Sequence, residues 1–414
     1  MVWIADKLIT ISRRVMKQLS KMMLAAVASV ALAAPAFAWD FSASGSSEAT
    51  FKQTSVAYPT GDGTSSMNTT SSAGGITISS SHTDGGHSAT FSYTADYNSD
   101  AGNFDEYVSV SGSKKVGNWT ASSSTSQYMQ KDVVGSAATP QTSDGTAAIT
   151  LTDGSITYKL GDAAHLSTAE KAVNGPMGGA VDAEARVDSF QGFSVGLGVG
   201  PGTLTVALDM EAGAADTAFG DQSIAIACGG GSTGFGINFS GDVGADLSFT
   251  YATASSSPSG RTCTDADNNS KSAASANTMG LGVAIAAGPA TIALDYEASK
   301  RDSTTGGGSV TASTTGSEKS GFELSVSMGM GDATVGLNVS SQTVTPTTDA
   351  AGATADNAAV SAGTELWYSV PIGAVTLDVG YGSAAATVGG NSAAGTDDAT
   401  TTTTEIGAKM SMSF

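Results

Sequence analysis

The body of the chain alternates apolar and polar residues. Leu204, Val206 and Leu208, for example, are each separated by one polar or small residue. Successive side chains of a β-strand point to opposite faces, so this period of two predicts strands with one apolar and one polar face. The pattern predicts an all-β protein. The same alternation recurs at 235–239, 291–297, 334–340, 375–381 and 406–414.

The connections between these segments alternate between short and long. The short ones are tight-turn sequences such as Asp153-Gly154, Gly288-Pro289 and Gly331-Asp332,. Strict alternation places every long loop at one end of the sheet. This arrangement is typical of an up-and-down antiparallel transmembrane β-barrel, and counting the segments predicts 18 strands, with 16 as the alternative,. The predicted long loops, rich in Ser, Thr, Gly and Asp, are 56–73, 129–145, 162–187, 213–232, 255–276, 301–318, 343–359 and 386–400.

A soluble β-sandwich or a β-solenoid would also alternate. A sandwich, however, would carry charges on its outer face, and its connections need not alternate in length. A solenoid would show a fixed short repeat, and the sequence has no repeat beyond the hairpin rhythm,. The alternation of short and long connections therefore favours one closed meander.

Residues 16–38 have the features of an export signal. Met16 opens a basic segment, an apolar stretch follows, and Ala36 and Ala38 form an A-x-A cleavage motif,. The apolar stretch is shorter than the ~20 residues that a spanning helix needs. We expect Sec-dependent export with cleavage after Ala38, a true start at Met16, and a barrel domain comprising residues 39–414.

Composition and charge narrow the function. The chain has 18 Lys and Arg against 38 Asp and Glu, for a net charge of -20. Such an acidic surface repels phosphate backbones, which disfavours nucleic acid as a partner. A hydrophobic content of 40% and a mean hydropathy of +0.02 disfavour a helical membrane bundle,.

Two motifs resemble those of the Gram-negative general porins, particularly the alphaproteobacterial type. The chain ends in an alternating strand with Met410, Met412 and a final Phe414, which resembles the porin assembly signal. Residues 153–162, ending in Leu-Gly-Asp, resemble the strand that precedes the porin constriction loop. The resemblance implies an outer-membrane homotrimer in contact with lipid and lipopolysaccharide, inserted by the barrel-assembly machinery. It also implies that residues 162–187 fold into the lumen, although this loop follows the seventh predicted strand here and the fifth in most family members.

The alternation also predicts which charges face the lumen, because charges on the lipid side would be costly. A wide barrel leaves an aqueous channel, and an acidic lining favours cations. The expected function is a general diffusion porin for small hydrophilic solutes and cations; a plugged adhesive or structural barrel and a substrate-specific channel remain alternatives. The predicted wall charges are Glu48, Lys52, Lys159, Asp209, Asp246, Asp295, Glu297, Glu323, Asp378, Glu405 and Lys409. The predicted loop charges are Asp162, Glu170, Lys171, Asp182, Glu184, Arg186 and Asp188.

The remaining reactive residues are few. Cys228 and Cys263 fall in consecutive long loops, and in an oxidising compartment we expect them to form a disulfide,. The three histidines do not form a catalytic constellation, and no phosphate-binding, zinc or cofactor motif is present in the sequence,. We therefore expect no enzyme activity, cofactor or metal.

Overall fold

The computed structural model describes residues 40–59, 64–98, 103–133, 146–176, 190–209, 216–219, 222–225, 231–257, 271–307, 310–348, 358–388 and 399–414. No helix in these ranges is long and apolar enough to cross a membrane. The strands are β1 (Asp40–Ala57), β2 (Thr64–Asp84), β3 (His87–Asn98), β4 (Asn103–Val116), β5 (Trp119–Val133), β6 (Ala147–Thr152), β7 (Ile156–Ala163), β8 (Phe190–Val199), β9 (Gly202–Asp209), β10 (Asp216–Phe219), β11 (Gln222–Ala225), β12 (Gly231–Asp242), β13 (Asp246–Ser257), β14 (Lys271–Ala287), β15 (Ala290–Gly307), β16 (Val310–Met330), β17 (Ala333–Thr348), β18 (Ala359–Ile372), β19 (Val375–Val388) and β20 (Ala399–Ser413).

Eighteen of these strands form one closed antiparallel barrel. Each barrel strand pairs with the next along the chain, and β9 pairs with β12. The barrel closes where β1 pairs with β20, with Thr50 opposite Lys409. The remaining two strands, β10 and β11, form a separate hairpin. The prediction of an 18-stranded up-and-down barrel is confirmed.

The two ends of the barrel differ in their connections. At one end the strands are joined by tight turns, where Gly288 (φ 65°) and Gly331 (φ 67°) adopt the left-handed conformation that favours glycine,. At this end β1 begins and β20 ends, and Phe414 exchanges backbone hydrogen bonds with Gly45 at 2.8 and 2.9 Å. The long connections, including the one that contains β10 and β11, leave from the opposite end.

The barrel wall has one apolar and one polar face. Leu294, Leu337 and Leu366 are 43%, 41% and 52% exposed, whereas Asn338 and Glu365, on the other face of the same sheet, are fully buried. An apolar face turned outward around a closed barrel is suited to contact with hydrocarbon, while the polar face encloses the lumen. A closed antiparallel barrel with this division is the architecture of an outer-membrane β-barrel.

Aromatic side chains also mark the outer face near the tight turns. Trp119 on β5, Tyr158 on β7 and Phe193 on β8 form a row that passes over β6, with successive ring centroids 6.2 and 6.4 Å apart. Rings placed this way belong to the girdles that flank the apolar band of membrane barrels.

Several strands are longer than the sequence pattern predicts. Most of the predicted loop 56–73 belongs to β1 and β2, and most of 301–318 belongs to β15 and β16. These segments are rich in Ser and Thr and lack an apolar face, so the alternation stops before the strands do. Thr is nonetheless a good strand residue, and antiparallel backbone pairing extends the hairpins without apolar packing.

Candidate pore and its inner segment

The chain leaves the barrel wall at the Leu-Gly-Asp motif. Gly161 has φ 122°, and a Cβ at this position would overlap the backbone oxygen of Ala147 on β6. Only glycine fits this conformation and this close approach. After β7 ends at Ala163, residues 164–176, called the inner segment below, run across the polar face of the barrel.

His165 fixes the root of the inner segment. Its Nε2 lies 2.9 Å from the backbone oxygen of Gly161, and its Nδ1 lies 2.9 Å from Oγ of Ser194 on β8. A carbonyl oxygen only accepts, so Nε2 donates and Nδ1 accepts from the serine hydroxyl in the neutral ring. The ring is buried against Phe190, with centroids 4.7 Å apart. Burial lowers the pKa of His165 below its ordinary value, which favours the neutral form,.

Polar side chains of β12 and β13 hold the next residues through backbone carbonyls. The hydroxyl of Thr250 donates to the Ser167 oxygen at 2.6 Å, and Nδ2 of Asn238 lies 3.3 Å from the same oxygen. The Ser167 hydroxyl donates to Oδ1 of Asn238 at 2.9 Å. Asn238 and Thr250 are both buried beneath the segment, so this contact excludes water from the wall.

Asp295 on β15 holds the centre of the inner segment. Its carboxylate accepts the backbone N–H of Lys171 at 2.8 and 2.9 Å and that of Ala172 at 2.6 Å. The Lys171 ammonium pairs with Asp246 on β13 at 2.8 Å. On β14, a Cβ at Gly282 would overlap the backbone oxygen of Ala169. The segment therefore lies directly on the wall at this point.

The far end of the segment is held by β16, β17 and β18. The Ser325 hydroxyl accepts the N–H of Val173 at 2.9 Å, and Glu365 accepts the N–H of Gly175 at 3.0 Å. Nδ2 of Asn338 donates to the Val173 oxygen at 3.2 Å and also to Glu323. The inner segment thus contacts the wall from β8 to β18.

The predicted wall acids on this arc are covered. The alternation predicts that they face lumen water, but Asp209, Asp295, Glu297 and Glu323 are only 5%, 1%, 2% and 2% exposed. Glu297 forms a buried ion pair with Lys319 at 2.9 Å. These acids lie on the inward face, but the inner segment and neighbouring side chains shield them from water. Asp246, at the tight-turn end, stays more than half exposed.

The predicted charges on the opposite side are partly exposed to solvent. Lys409 lies 3.4 Å from Glu48, and Lys52 lies 3.5 Å from Glu405, with all four side chains between 21% and 38% exposed. Asp378 is half-buried on β19, opposite Lys409 in the register. This solvated region of β1, β19 and β20, together with the neighbouring inward face of β2 to β4, is called the open wall below.

Three predicted charges lie at or near the root of the inner segment. Lys159 donates to the backbone oxygen of Ala164 at 2.9 Å. Asp162 is half-buried at the end of β7, and Glu170 is exposed on the inner segment. These placements bring part of the predicted loop charge to the inner surface of the barrel.

Sequence reasoning missed two acids of the open wall. Asp96 on β3 and Asp105 on β4 lie opposite each other in the register, on the same face as Thr94, which is buried against Thr77. They border a cavity of about 420 Å³ together with Glu48. The sequence did contain evidence for the inward position of Asp96, because its neighbour Tyr97 is a large aromatic residue suited to the outer face and alternation then turns Asp96 inward. The same logic identifies Glu365, which precedes the outward Leu366.

The other predicted residues fall elsewhere. Met410, Met412 and Phe414 are exposed on the outer face, and the Phe414 ring lies over Gly45, where no side chain would fit. The described residues contain no group of three or more His, Cys, Asp or Glu that could hold a metal. Outside the described residues lie Ala36, Ala38, Asp182, Glu184, Arg186, Asp188, Cys228 and Cys263.

Comparison with known proteins gives only structural likeness. No protein-family model and no curated protein matches the sequence. Among solved structures, an anion-selective porin from Comamonas acidovorans aligns over 91% of this chain and 100% of its own, at 12% identity and a TM-score of 0.45. The outer membrane protein OmpT of Vibrio cholerae, in its trimer form, has the same coverage at 8% identity and a TM-score of 0.43. A mutant Rh. blastica porin has the same coverage at 13% identity and a TM-score of 0.40. At these values the likeness establishes no function, and the barrel's own geometry must support any assignment.

Proposed function

We propose that the protein is an outer-membrane diffusion pore for small hydrophilic solutes and ions. One observation carries the proposal: a closed 18-stranded barrel with an apolar exterior has a polar interior that is only partly covered by the inner segment. A barrel of this strand number is too wide for wall side chains to meet across it, so the uncovered part of the lumen holds water.

The solvent path runs between the inner segment and the open wall. The arc from β8 to β18 is sealed at the level of the segment, where Asp295, Glu323 and Glu365 are at most 2% exposed. On the open wall, Glu48 and Lys52 remain 38% and 30% exposed. Solutes would therefore pass along the open wall, and the inner segment would form the opposite side of a constriction.

The charge of the open wall favours cations. Two lysines of the open wall have a carboxylate partner, Lys52 with Glu405 and Lys409 with Glu48, and Lys115 lies on the same face of β4 at the tight-turn end. Asp96, Asp105 and Asp378 add further negative charge to the same face. A pore lined this way concentrates cations and repels anions. The buried acids beneath the inner segment contribute less, because they bind backbone N–H groups or lysine.

We infer a homotrimer from the outward-facing residues of the barrel, which differ in size and polarity from strand to strand. From β6 to β20 the outward residues are mostly large and apolar, but β4 and β5 turn Gly112, Ser123, Thr125 and Gln127 outward. Small polar residues bury little apolar surface against lipid, whereas a second protein surface packs closely on them. We expect Ser123→Trp to reduce the trimer fraction in cross-linking of detergent-purified protein. Leu337→Trp, on the outer face of β17, serves as the matched control.

Single-channel recording of the purified protein in a planar bilayer with a salt gradient tests the function. Stable conductance in groups of three steps, with a reversal potential of the cation-selective sign, supports a trimeric cation-preferring pore. Absence of conductance from a barrel that is folded by heat-modifiable gel mobility contradicts the proposal and favours a plugged adhesive or structural barrel.

A further inference from the structure

His165 occupies the hinge between the barrel wall and the inner segment. It is 4% exposed, and it links three elements through Gly161 on β7, Ser194 on β8 and its own position on the segment. The diffusion function does not require an ionisable group here. A buried imidazole at a hinge has two states, neutral and charged, that differ in how well they tolerate burial.

The surroundings of His165 offer limited compensation for a positive charge. From β7, Lys159 opposes protonation and Asp162 favours it. β8 carries no ionisable side chain between Phe190 and Val199. On β9, Asp209 pairs with Gly192 in the register and is buried. Burial remains the largest influence on the ring, because a charge that leaves water loses its hydration.

We propose that His165 is a pH-sensitive latch for the inner segment, which releases the root of the segment from the wall when the ring is protonated. This inference depends on the proposed pore function. A proton from solvent adds to Nδ1, and the Ser194 hydroxyl turns to become an acceptor. The charged ring then gains hydration by leaving its site next to Phe190. The contacts at Asp295 and Glu365 keep the rest of the segment attached, so release is local.

The sign and the size of the effect follow from linkage. The pKa of His165 is lower in the docked state than in the released state, so the docked state binds fewer protons. Docking is therefore fully favoured above the ordinary histidine pKa of about 6.5 and weakens as the pH falls below it. One proton changes the ratio of released to docked segments about tenfold per pH unit, until the pH reaches the lowered pKa.

Single-channel recordings between pH 8 and pH 5 test the latch. We expect the wild-type pore to be quiet at pH 7.5 and to show closing events that become more frequent below pH 6.5. His165→Gln should remove this transition, because the amide does not titrate. The chain has three histidines, so the double variant His82→Gln/His87→Gln, at the β2–β3 turn, is the matched control and should keep the transition.

An NMR titration of ¹³C-labelled histidine in the folded protein gives a second, independent readout. The His165 resonance, which is the one missing in His165→Gln or, if that variant fails to fold, the one that remains in the double variant, should titrate below pH 6.5. A transition that persists in His165→Gln, or a His165 that titrates at or above 6.5, overturns the latch. A protein without conductance at pH 7.5 contradicts the pore instead, and the titration still decides whether the latch residue is held neutral.

Discussion

Asp295→Ala should release the centre of the inner segment without opening the barrel. The wild-type carboxylate accepts the backbone N–H groups of Lys171 and Ala172 within 2.6 to 2.9 Å. Alanine leaves both donors without this acceptor while the segment stays docked. The barrel itself is closed by a continuous backbone ladder from β1 to β20, and Asp295 contributes only its side chain to the contact.

The expected cost follows from the two donors. Each buried N–H left without a partner costs about 1 to 3 kcal/mol, and the carboxylate strengthens the bonds that are lost. Removing a buried charge also removes its desolvation penalty, which offsets part of the loss. We therefore expect docking of the segment to weaken by about 3 kcal/mol, roughly a hundredfold in its equilibrium constant.

Limited proteolysis measures this loss directly. Docked Lys171 pairs with Asp246 and is shielded, whereas a released segment exposes it to trypsin. Asp295→Ala should give a new cleavage after Lys171 and a noisier single-channel current. Asp378→Ala removes an inward acid of β19 that lies opposite Lys409 of β20, so it should change ion selectivity but not the cleavage pattern. Equal trypsin resistance of Asp295→Ala and wild type, in barrels of equal heat stability, would refute the role of Asp295 as an anchor.

Three further experiments test other parts of the structure. Gly282→Ala should displace the segment, because its Cβ would overlap the Ala169 oxygen, while Gly329→Ala, with open space at its Cβ, should leave trypsin resistance unchanged. Asp96→Asn with Asp105→Asn should shift the reversal potential of a salt-gradient recording towards non-selectivity, and an unshifted potential would place the selectivity elsewhere. Backbone and hydroxyl donors lower the pKa of Asp153 in the β6–β7 turn. The ionised Asp153 therefore stabilises the folded protein above about pH 4, and this contribution is lost as the pH falls through the lowered pKa. The thermal unfolding midpoints of wild type and Asp153→Ala should differ at neutral pH and converge in acid.

Some features of the barrel could be predicted from local sequence alone. Period-two alternation identified the strands and their faces, because in a strand the side-chain direction depends only on position parity. The turn residues set the alternation of short and long connections, and with it the up-and-down order. Strand ends were less predictable at β2, β15 and β16, since Ser and Thr pair through the backbone without an apolar pattern.

The inner surface depended on contacts between distant residues. Alternation predicts that both Asp295 and Asp378 face the lumen. Only the tertiary structure distinguishes them, because the inner segment covers Asp295 and leaves Asp378 in contact with solvent. The Leu-Gly-Asp motif marked where the chain leaves the wall, but the sequence contained no sign that Asn238, Asp295 and Glu365, up to 127 positions apart, would anchor one segment. Parity is a local property of the backbone, whereas burial of a lumen charge depends on which loop folds over it.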